Sequence, residues 1–167
     1  VGTLIPDINQ EILLVCEPGR EEEVITRLCR VGYDHTIGFL KGGFDAWKNA
    51  GKEVDYITSV TANELADIMT KKRVNLLDVR KKSEYDSEHI VDAENTPLDY
   101  VNDTMAQIDK NKTYYVHCAG GYRSMAFVSI LRARGYHNLI DINGGFKAMR
   151  ESGKFKVTDY VCPTTML

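Results

Sequence analysis

Two stretches of this chain repeat one pattern of apolar and polar positions. Residues 12–47 (ILLVCEPGREEEVITRLCRVGYDHTIGFLKGGFDAW) and residues 114–149 (YYVHCAGGYRSMAFVSILRARGYHNLIDINGGFKAM) follow the same order. Each runs from an apolar strand through a Cys and a glycine-containing loop into an amphipathic helix, then Gly-Tyr, a second strand and Gly-Gly-Phe. Gly32-Tyr33 and Gly135-Tyr136 read as helix stops. Gly42-Gly43 and Gly144-Gly145 sit where a strand turns into a short helix with no room for side chains.

The second copy has a front half that the first lacks. Thr61-x-x-Glu64 is a capping box that predicts a helix to about Thr70. Val74–Val79 is a continuous apolar strand of the kind buried on both faces of a parallel sheet. Lys81–His89 reads as a charged loop or short helix, and Ala93–Leu98 as a short strand closed by Pro97. Met105–Ile108 belongs to a further helix, stopped by the Asp109–Lys112 turn. Strand Tyr114–His117, helix Ser124–Arg134 and strand Leu139–Ile142 follow. Strands alternating with helices predict an α/β fold, a mostly parallel sheet covered on both sides. The predicted organisation is a truncated half-domain at 1–52, a linker at 53–58, a complete domain at 59–153 and a C-terminal tail at 154–167. A half-sheet exposes strand edges, so the first part is expected to lean on the second or to pair with another copy as a homo-oligomer.

Composition narrows the function. The 167 residues are 43% hydrophobic, enough for a real core. Lys and Arg number 21 against 24 Asp and Glu, so no basic excess points to nucleic acid or an anionic membrane. No apolar run approaches the roughly 18–20 residues that span a bilayer. The N-terminus lacks a signal-peptide pattern, and a cytoplasmic location is expected. It also lacks Met, so the chain is expected to be a piece of something longer. The cysteines are Cys16, Cys29, Cys118 and Cys162, none in a CxxC pair; the histidines lack metal-ligand spacing. No metal and no organic cofactor are expected within these residues. Cys29 is expected in or beside the core, and Cys162 as a tail thiol, with resolution of a modified Cys118 as its alternative role.

The candidate chemistry lies at Cys118. In parallel sheets the working groups gather at the C-terminal ends of strands, where Asp78, Arg80 and Cys118 fall. Cys118-Ala119-Gly120-Gly121-Tyr122-Arg123-Ser124 joins a strand to a helix. Adjacent glycines let successive amides turn inward as an anion nest, the helix start adds positive potential, and Arg123 adds a permanent charge. A thiol there is expected below its ordinary pKa of about 8.5, a nucleophile inside its own oxyanion cradle of residues 119–124. Arg123 makes the ring C-x4-R, one residue shorter than the C-x5-R ring with which cysteine phosphatases encircle phosphate. The shorter ring suits one sulfur atom. Asp78 and Arg80 are expected to support the loop by hydrogen bonds. Ser124 either caps the helix or donates to bound sulfur, Tyr122 and Met125 shape the mouth, and strand alternation points His117 away from Cys118. Arg80-Lys81-Lys82 either steers an anion or forms a solvated turn.

Leu77-Asp78-Val79-Arg80, Glu84-Tyr85, Glu88-His89-Ile90, Ala93, Asn95, Pro97-Leu98, the Cys118–Ser124 loop, Gly135-Tyr136 and Gly144-Gly145-Phe146 together resemble a rhodanese domain. The resemblance spans Thr61–Met149, with Val91-Asp92 in place of the usual Pro-Gly and Glu94 in place of an apolar residue. It implies a three-layer rhodanese-like sandwich and a sulfurtransferase. Cys118 would take sulfane sulfur from a small sulfur-containing anion and pass it as a persulfide to a thiol acceptor or cyanide. Residues 2–52 resemble the C-terminal half of a second such domain, with Cys16 at the nucleophile position. Its loop, Cys16-Glu17-Pro18-Gly19-Arg20-Glu21-Glu22-Glu23, loses an amide at Pro18 and gathers carboxylates that repel an anion, so this copy reads as inactive. The pair also resembles the tandem tail of bacterial metallo-β-lactamase-fold hydrolases, which would place a metal in an upstream module. Two rivals remain: a phosphatase or arsenate reductase using Cys118, and a non-catalytic module serving such a hydrolase.

Overall fold

The computed structural model describes residues 1–2 and 4–162. The chain divides into two units, with the boundary between Tyr56 and Ile57. In the smaller, β1 (Ile12–Leu14) and β2 (Thr36–Phe39) pair in parallel, which requires the crossover supplied by α1 (Glu21–Cys29); α2 (Gly43–Asn49) follows. Its core is thin: among its described residues only Leu14, Tyr33 and Gly43 are buried, while Leu13 and Ile37 are 72% and 57% exposed. Helix α1 buries no residue. Cys29 at its end is exposed rather than in or beside a core.

The larger unit is built on five parallel strands ordered β3-β7-β6-β4-β5. Its elements run β3 (Ser59–Thr61), α3 (Ala62–Met69), β4 (Asn75–Asp78), α4 (Lys82–Ser87), β5 (Ala93–Asn95), α5 (Val101–Thr104), β6 (Tyr114–His117), α6 (Tyr122–Ala133), β7 (Leu139–Asn143) and α7 (Gly145–Ser152). This is the expected α/β fold. No helix of the described residues is long and apolar enough to cross a membrane.

Local chemistry explains most boundaries. The Thr61 hydroxyl accepts from the Glu64 amide at 3.2 Å while the Glu64 carboxylate accepts from the Thr61 amide at 2.7 Å, so the capping box forms as written. The strand expected at Ala93–Leu98 stops at Asn95. Beyond it Thr96 and Leu98 donate to the carbonyls of Asp78 and Val79, and Pro97 has no amide to continue the ladder. Strand β3 is the element that the pattern did not announce; its three residues lead straight into the capping box.

Alternation along the strands divides the core into two layers. Leu77, Val79, Val116, Cys118 and Leu139 pack against Phe127, Val128 and Leu131 of α6. Leu76, Tyr115 and Ile142 pack on the other face with Leu65 of α3 and Phe146 and Met149 of α7. Phe127, Leu131 and Leu65 are 0% exposed, and each contributes about 1.5–3 kcal/mol by leaving water. After α7 the chain returns as a strap. Lys156 accepts from the Val91 amide, the Thr158 and Val161 amides donate to the His89 and Ser87 carbonyls, and Ile90 and Val157 form an antiparallel bridge. Residues 163–167 of the expected tail lie outside the described residues.

The second Gly-Gly pair sets the closest backbone approach in the unit. Gly145 has φ +55°, and a Cβ there would sit 2.4 Å from the Cys118 carbonyl oxygen. The repeat keeps this distance, since a Cβ on Gly43 would sit 2.4 Å from the Cys16 carbonyl oxygen. Gly153 has φ +65° but open space around it. Gly145→Ala is therefore expected to destabilise the unit by about 2–4 kcal/mol, and Gly153→Ala by only about 1 kcal/mol, from its left-handed backbone alone. Urea unfolding of the two variants measures the difference; equal losses would place the cost in φ and not in the approach to Cys118.

Candidate active site

Strand β6 delivers Cys118, and α6 begins four residues later with Gly121 at its N-cap in the left-handed region, φ 104°. That conformation turns the Gly121 amide inward to donate to Cys118 Sγ at 3.1 Å. Ser124 is the third residue of α6 and not its cap; it is fully buried, with Oγ 3.6 Å from Cys118 Sγ and 3.1 Å from the Gly121 carbonyl. The loop is also held from behind. Amides of the first turn of α7 donate outward, Phe146 to the Cys118 carbonyl at 2.7 Å and Lys147 to the Ala119 carbonyl at 3.0 Å. These are donors that a helix start leaves without partners.

Cys118 is 1% exposed. Burial pushes its thiol up, but the amides of Ser124, Gly121 and Gly120 and the Ser124 hydroxyl together outweigh it and hold the thiol below its ordinary range. The loop can therefore stabilise a thiolate, or negative charge on an atom attached to the sulfur. Tyr122, 90% exposed, and Met125, 40% exposed, stand at the start of α6 and line a shallow apolar groove with Ile57 and Ala126.

Arg123 does not face the site as an unpartnered charge. Its guanidinium is gripped by Glu84 of α4, Nη1 to Oε2 at 2.6 Å and Nη2 to Oε1 at 2.9 Å. The pair is about one-third exposed on each side. Glu84 is the site residue that sequence reasoning left unassigned. Its position in the first turn of the helix after β4, at the C-terminal end of the sheet, was the available signal.

Asp78 and Arg80 lie side by side in the interior, 0% and 5% exposed. Arg80 donates to Asp78 through Nε and Nη2, the latter at 2.6 Å, and through Nη2 to the Glu88 carbonyl at 2.8 Å. Its guanidinium stacks 4.2 Å from the Phe146 ring centre; the hydrogen bonds of Asp78 and Arg80 run to each other, to Glu88 and to Asn95 and not to the loop as expected, so contact with the loop is through the residue that donates to the Cys118 carbonyl. Buried this way, Arg80 leaves the basic run 80–82 and steers nothing. His117 faces the Asp78 layer, with Nε2 3.9 Å from Asp78 Oδ2. Burial lowers its pKa against the pull of Asp78, which keeps the imidazole neutral.

At the first copy, Cys16 shares a pocket with Glu17, Pro18, Gly42, Phe44 and Asp45. Arg20 turns to Glu23 at 3.0 Å and to Glu17 at 3.5 Å. Cys162 is exposed just beyond the strap. Among the described residues no cluster of three metal-ligating side chains occurs.

Comparison with known proteins places these features. The family model described as the rhodanese-like domain matches residues 61–152. An uncharacterised protein of Bacillus subtilis, YqhL, is 32% identical over 85 residues, 51% of this chain and 66% of that protein, so the match leaves about a third of the relative uncovered. A thiosulfate sulfurtransferase of Coxiella burnetii, GlpE, is 25% identical over 87 residues, 52% of this chain and 81% of that protein. Among solved structures, a rhodanese-related protein of Thermoplasma volcanium superposes with a TM-score of 0.55 at 30% identity, covering 60% of this chain and 97% of that one.

The Glu84–Arg123 pair makes a pH prediction. Hydrogen bonding to Arg123 holds Glu84 below the usual carboxylate range, against the opposing effect of burial. A depressed carboxylate stabilises the fold above its unfolded pKa and loses that contribution as pH falls through the folded value. Discounted for exposure, the pair is worth about 0.5–1 kcal/mol. Glu84→Gln is expected to lower stability by that amount at neutral pH and to converge with wild type in acid. Denaturant melts from neutral to acid pH check this; a pH-independent difference would assign the loss to packing.

Proposed function

The chain belongs to the rhodanese-like domain family, and from that premise we propose that it is a sulfurtransferase whose sulfur carrier is Cys118. The observation that carries this reading is the Gly121 amide aimed at Cys118 Sγ at 3.1 Å inside a ring closed after four residues. The Cys118 thiolate attacks the outer sulfur of a thiosulfate-type donor. The new S–S bond forms on Cys118 as the donor S–S bond breaks, and sulfite leaves with its electron pair. An acceptor thiolate, or cyanide, then attacks the outer persulfide sulfur, and Cys118 leaves as thiolate. The negative charge that Cys118 carries as thiolate or persulfide is offset by the amides of Gly120, Gly121 and Ser124, and the charge of the departing group leaves with sulfite. Asp78 and Arg80 brace the cradle from behind, and residues 119–123 form its rim. No step calls for a metal or organic cofactor.

One point favours sulfur over phosphate: the ring is one residue short of the phosphatase count. The likeness of residues 2–52 to the tandem tail of metallo-β-lactamase-fold hydrolases supports a setting in which the persulfide is exchanged with such a module.

Intact mass after incubation with thiosulfate tests the reading. The wild-type chain is expected to gain one sulfur atom and Cys118→Ala none. Equal gain by the variant, or no gain by either, overturns the assignment and favours a recruiting module.

A further inference from the structure

His117 is a buried titratable group that the sulfur-transfer steps leave unused. It ends β6 directly before Cys118, and alternation sends its ring to the layer opposite the sulfur. The residue is 0% exposed, with its ring centre 6.5 Å from that of Phe146. A leucine would fill this space with no polar atom to satisfy. His117 instead carries two ring nitrogens into the interior, and Nε2 has no hydrogen-bond partner there. Packing alone does not call for such a residue.

The two nitrogens face different oxygens. Nδ1 stands 3.3 Å from the carbonyl oxygen of Cys118. Nε2 stands 3.9 Å from Asp78 Oδ2, beyond hydrogen-bond reach. That carboxylate oxygen already accepts from Arg80 Nε at 2.9 Å and from Nη2 at 2.6 Å, and Oδ1 accepts from the Arg80 amide at 3.0 Å. A carbonyl oxygen only accepts, and a neutral imidazole has a single N–H. With the hydrogen on Nε2, the Nδ1 lone pair would point at the Cys118 carbonyl and the N–H would reach no acceptor. With the hydrogen on Nδ1, the ring donates to the carbonyl, and the bare Nε2 is an acceptor left without a donor. The hydrogen therefore belongs on Nδ1.

We propose that His117, as its Nδ1–H tautomer, is a positioning residue for Cys118 that fixes the peptide joining Cys118 to Ala119. The inference rests on Cys118 being the sulfur carrier. The carbonyl of that peptide also accepts from the Phe146 amide at 2.7 Å, so its two lone pairs meet two donors. Phe146 and the His117 ring belong to the layer opposite the sulfur, so the negative end of the peptide is held away from Cys118 Sγ. The peptide is planar and trans, and the Ala119 N–H points opposite to the carbonyl. Two donors on the oxygen also offset its partial negative charge, which opposes a thiolate on the same residue. His117 thus acts on the sulfur through the backbone, without touching it.

Nitrogen-15 NMR of the His117 ring in wild type at neutral pH is the first test. Hydrogen on Nδ1 and a bare Nε2 are expected; hydrogen on Nε2 overturns the proposal whether or not any variant folds. Replacement then separates positioning from filling. In His117→Asn the amide nitrogen takes the place of Nδ1, in His117→Gln that of Nε2, and His117→Leu fills the space with no donor. The Cys118 thiolate midpoint is read by ultraviolet absorbance, as the difference from the matching chain that also carries Cys118→Ser. It is expected to rise by up to about 1 pH unit in His117→Leu and His117→Gln and to stay near wild type in His117→Asn. Sulfur transfer from thiosulfate to cyanide is expected to slow about fivefold in kcat in the same two variants. A midpoint that moves in none of the three, or equally in all, would assign His117 to core filling and sink the proposal. The expected midpoints in a chain that gains no sulfur from thiosulfate support the positioning of Cys118 and overturn the sulfur-transfer reading instead.

Discussion

A sulfur atom almost wholly out of water can carry negative charge only where fixed dipoles replace the water it has lost. At Cys118 the deficit is large because the side chain is 1% exposed. The replacement is the backbone amides of Gly120, Gly121 and Ser124 together with the Ser124 hydroxyl. Amides supplied by the main chain need no side-chain ordering, and their direction is fixed by loop conformation alone. The rest of the larger unit can be read as what keeps that conformation. The loop must turn through a left-handed residue at Gly121, enter a helix at once, and keep its carbonyls away from the sulfur. The first two conditions are met inside the loop, and the third is met from outside, by α7.

The grip of α7 on the Cys118 and Ala119 carbonyls explains why a glycine pair twenty-six residues downstream belongs to the site. Any side chain at Gly145 would enter the space of the Cys118 carbonyl. The smaller unit keeps the same approach of Gly43 to Cys16 although it buries few side chains. Close approach of a Gly-Gly turn to the strand-end carbonyl is thus encoded locally, by residues that each copy possesses, and does not depend on a filled core. At Cys16 one loop position is Pro18, which has no amide to donate, and Arg20 is paired with two carboxylates.

Much of this was legible in the residues. The repeat, the capping box at Thr61, the alternation that sends Val116 and Cys118 to one layer and His117 to the other, and the nest at Cys118 all follow from local pattern. Three things did not. β3 is too short to show a period and exists through its pairing with β7. Arg80 read both as a support for the Cys118 loop and as part of a basic run, and only the three-dimensional placement of Asp78, Glu88 and Phe146 shows that it is buried. Glu84 lies thirty-nine positions before Arg123 and meets it through the order in which parallel strands are laid down. Charge partnerships across a parallel sheet are long-range in sequence, so composition and spacing near the nucleophile do not reveal them.

Those partnerships also bear on what the ring can hold. Arg123 acts on Cys118 while its guanidinium is held in a bidentate pair with Glu84 that is only partly screened by water, so a phosphate dianion at Cys118 would draw on a guanidinium that is already partly neutralised. A persulfide needs no such charge. It presents a single negative atom to amides already aimed inward and leaves the Glu84–Arg123 pair intact at the rim. Arg80 is unavailable for the same task, being closed around Asp78 in the interior. With both nearby guanidinium groups bound to carboxylates, the cradle draws on its amides and a helix start beside the partly neutralised Arg123. Under the proposed reading such a site suits charge carried on one attached sulfur atom, and a thiosulfate-type donor, itself a dianion, has to meet the cradle only through its outer sulfur before sulfite leaves.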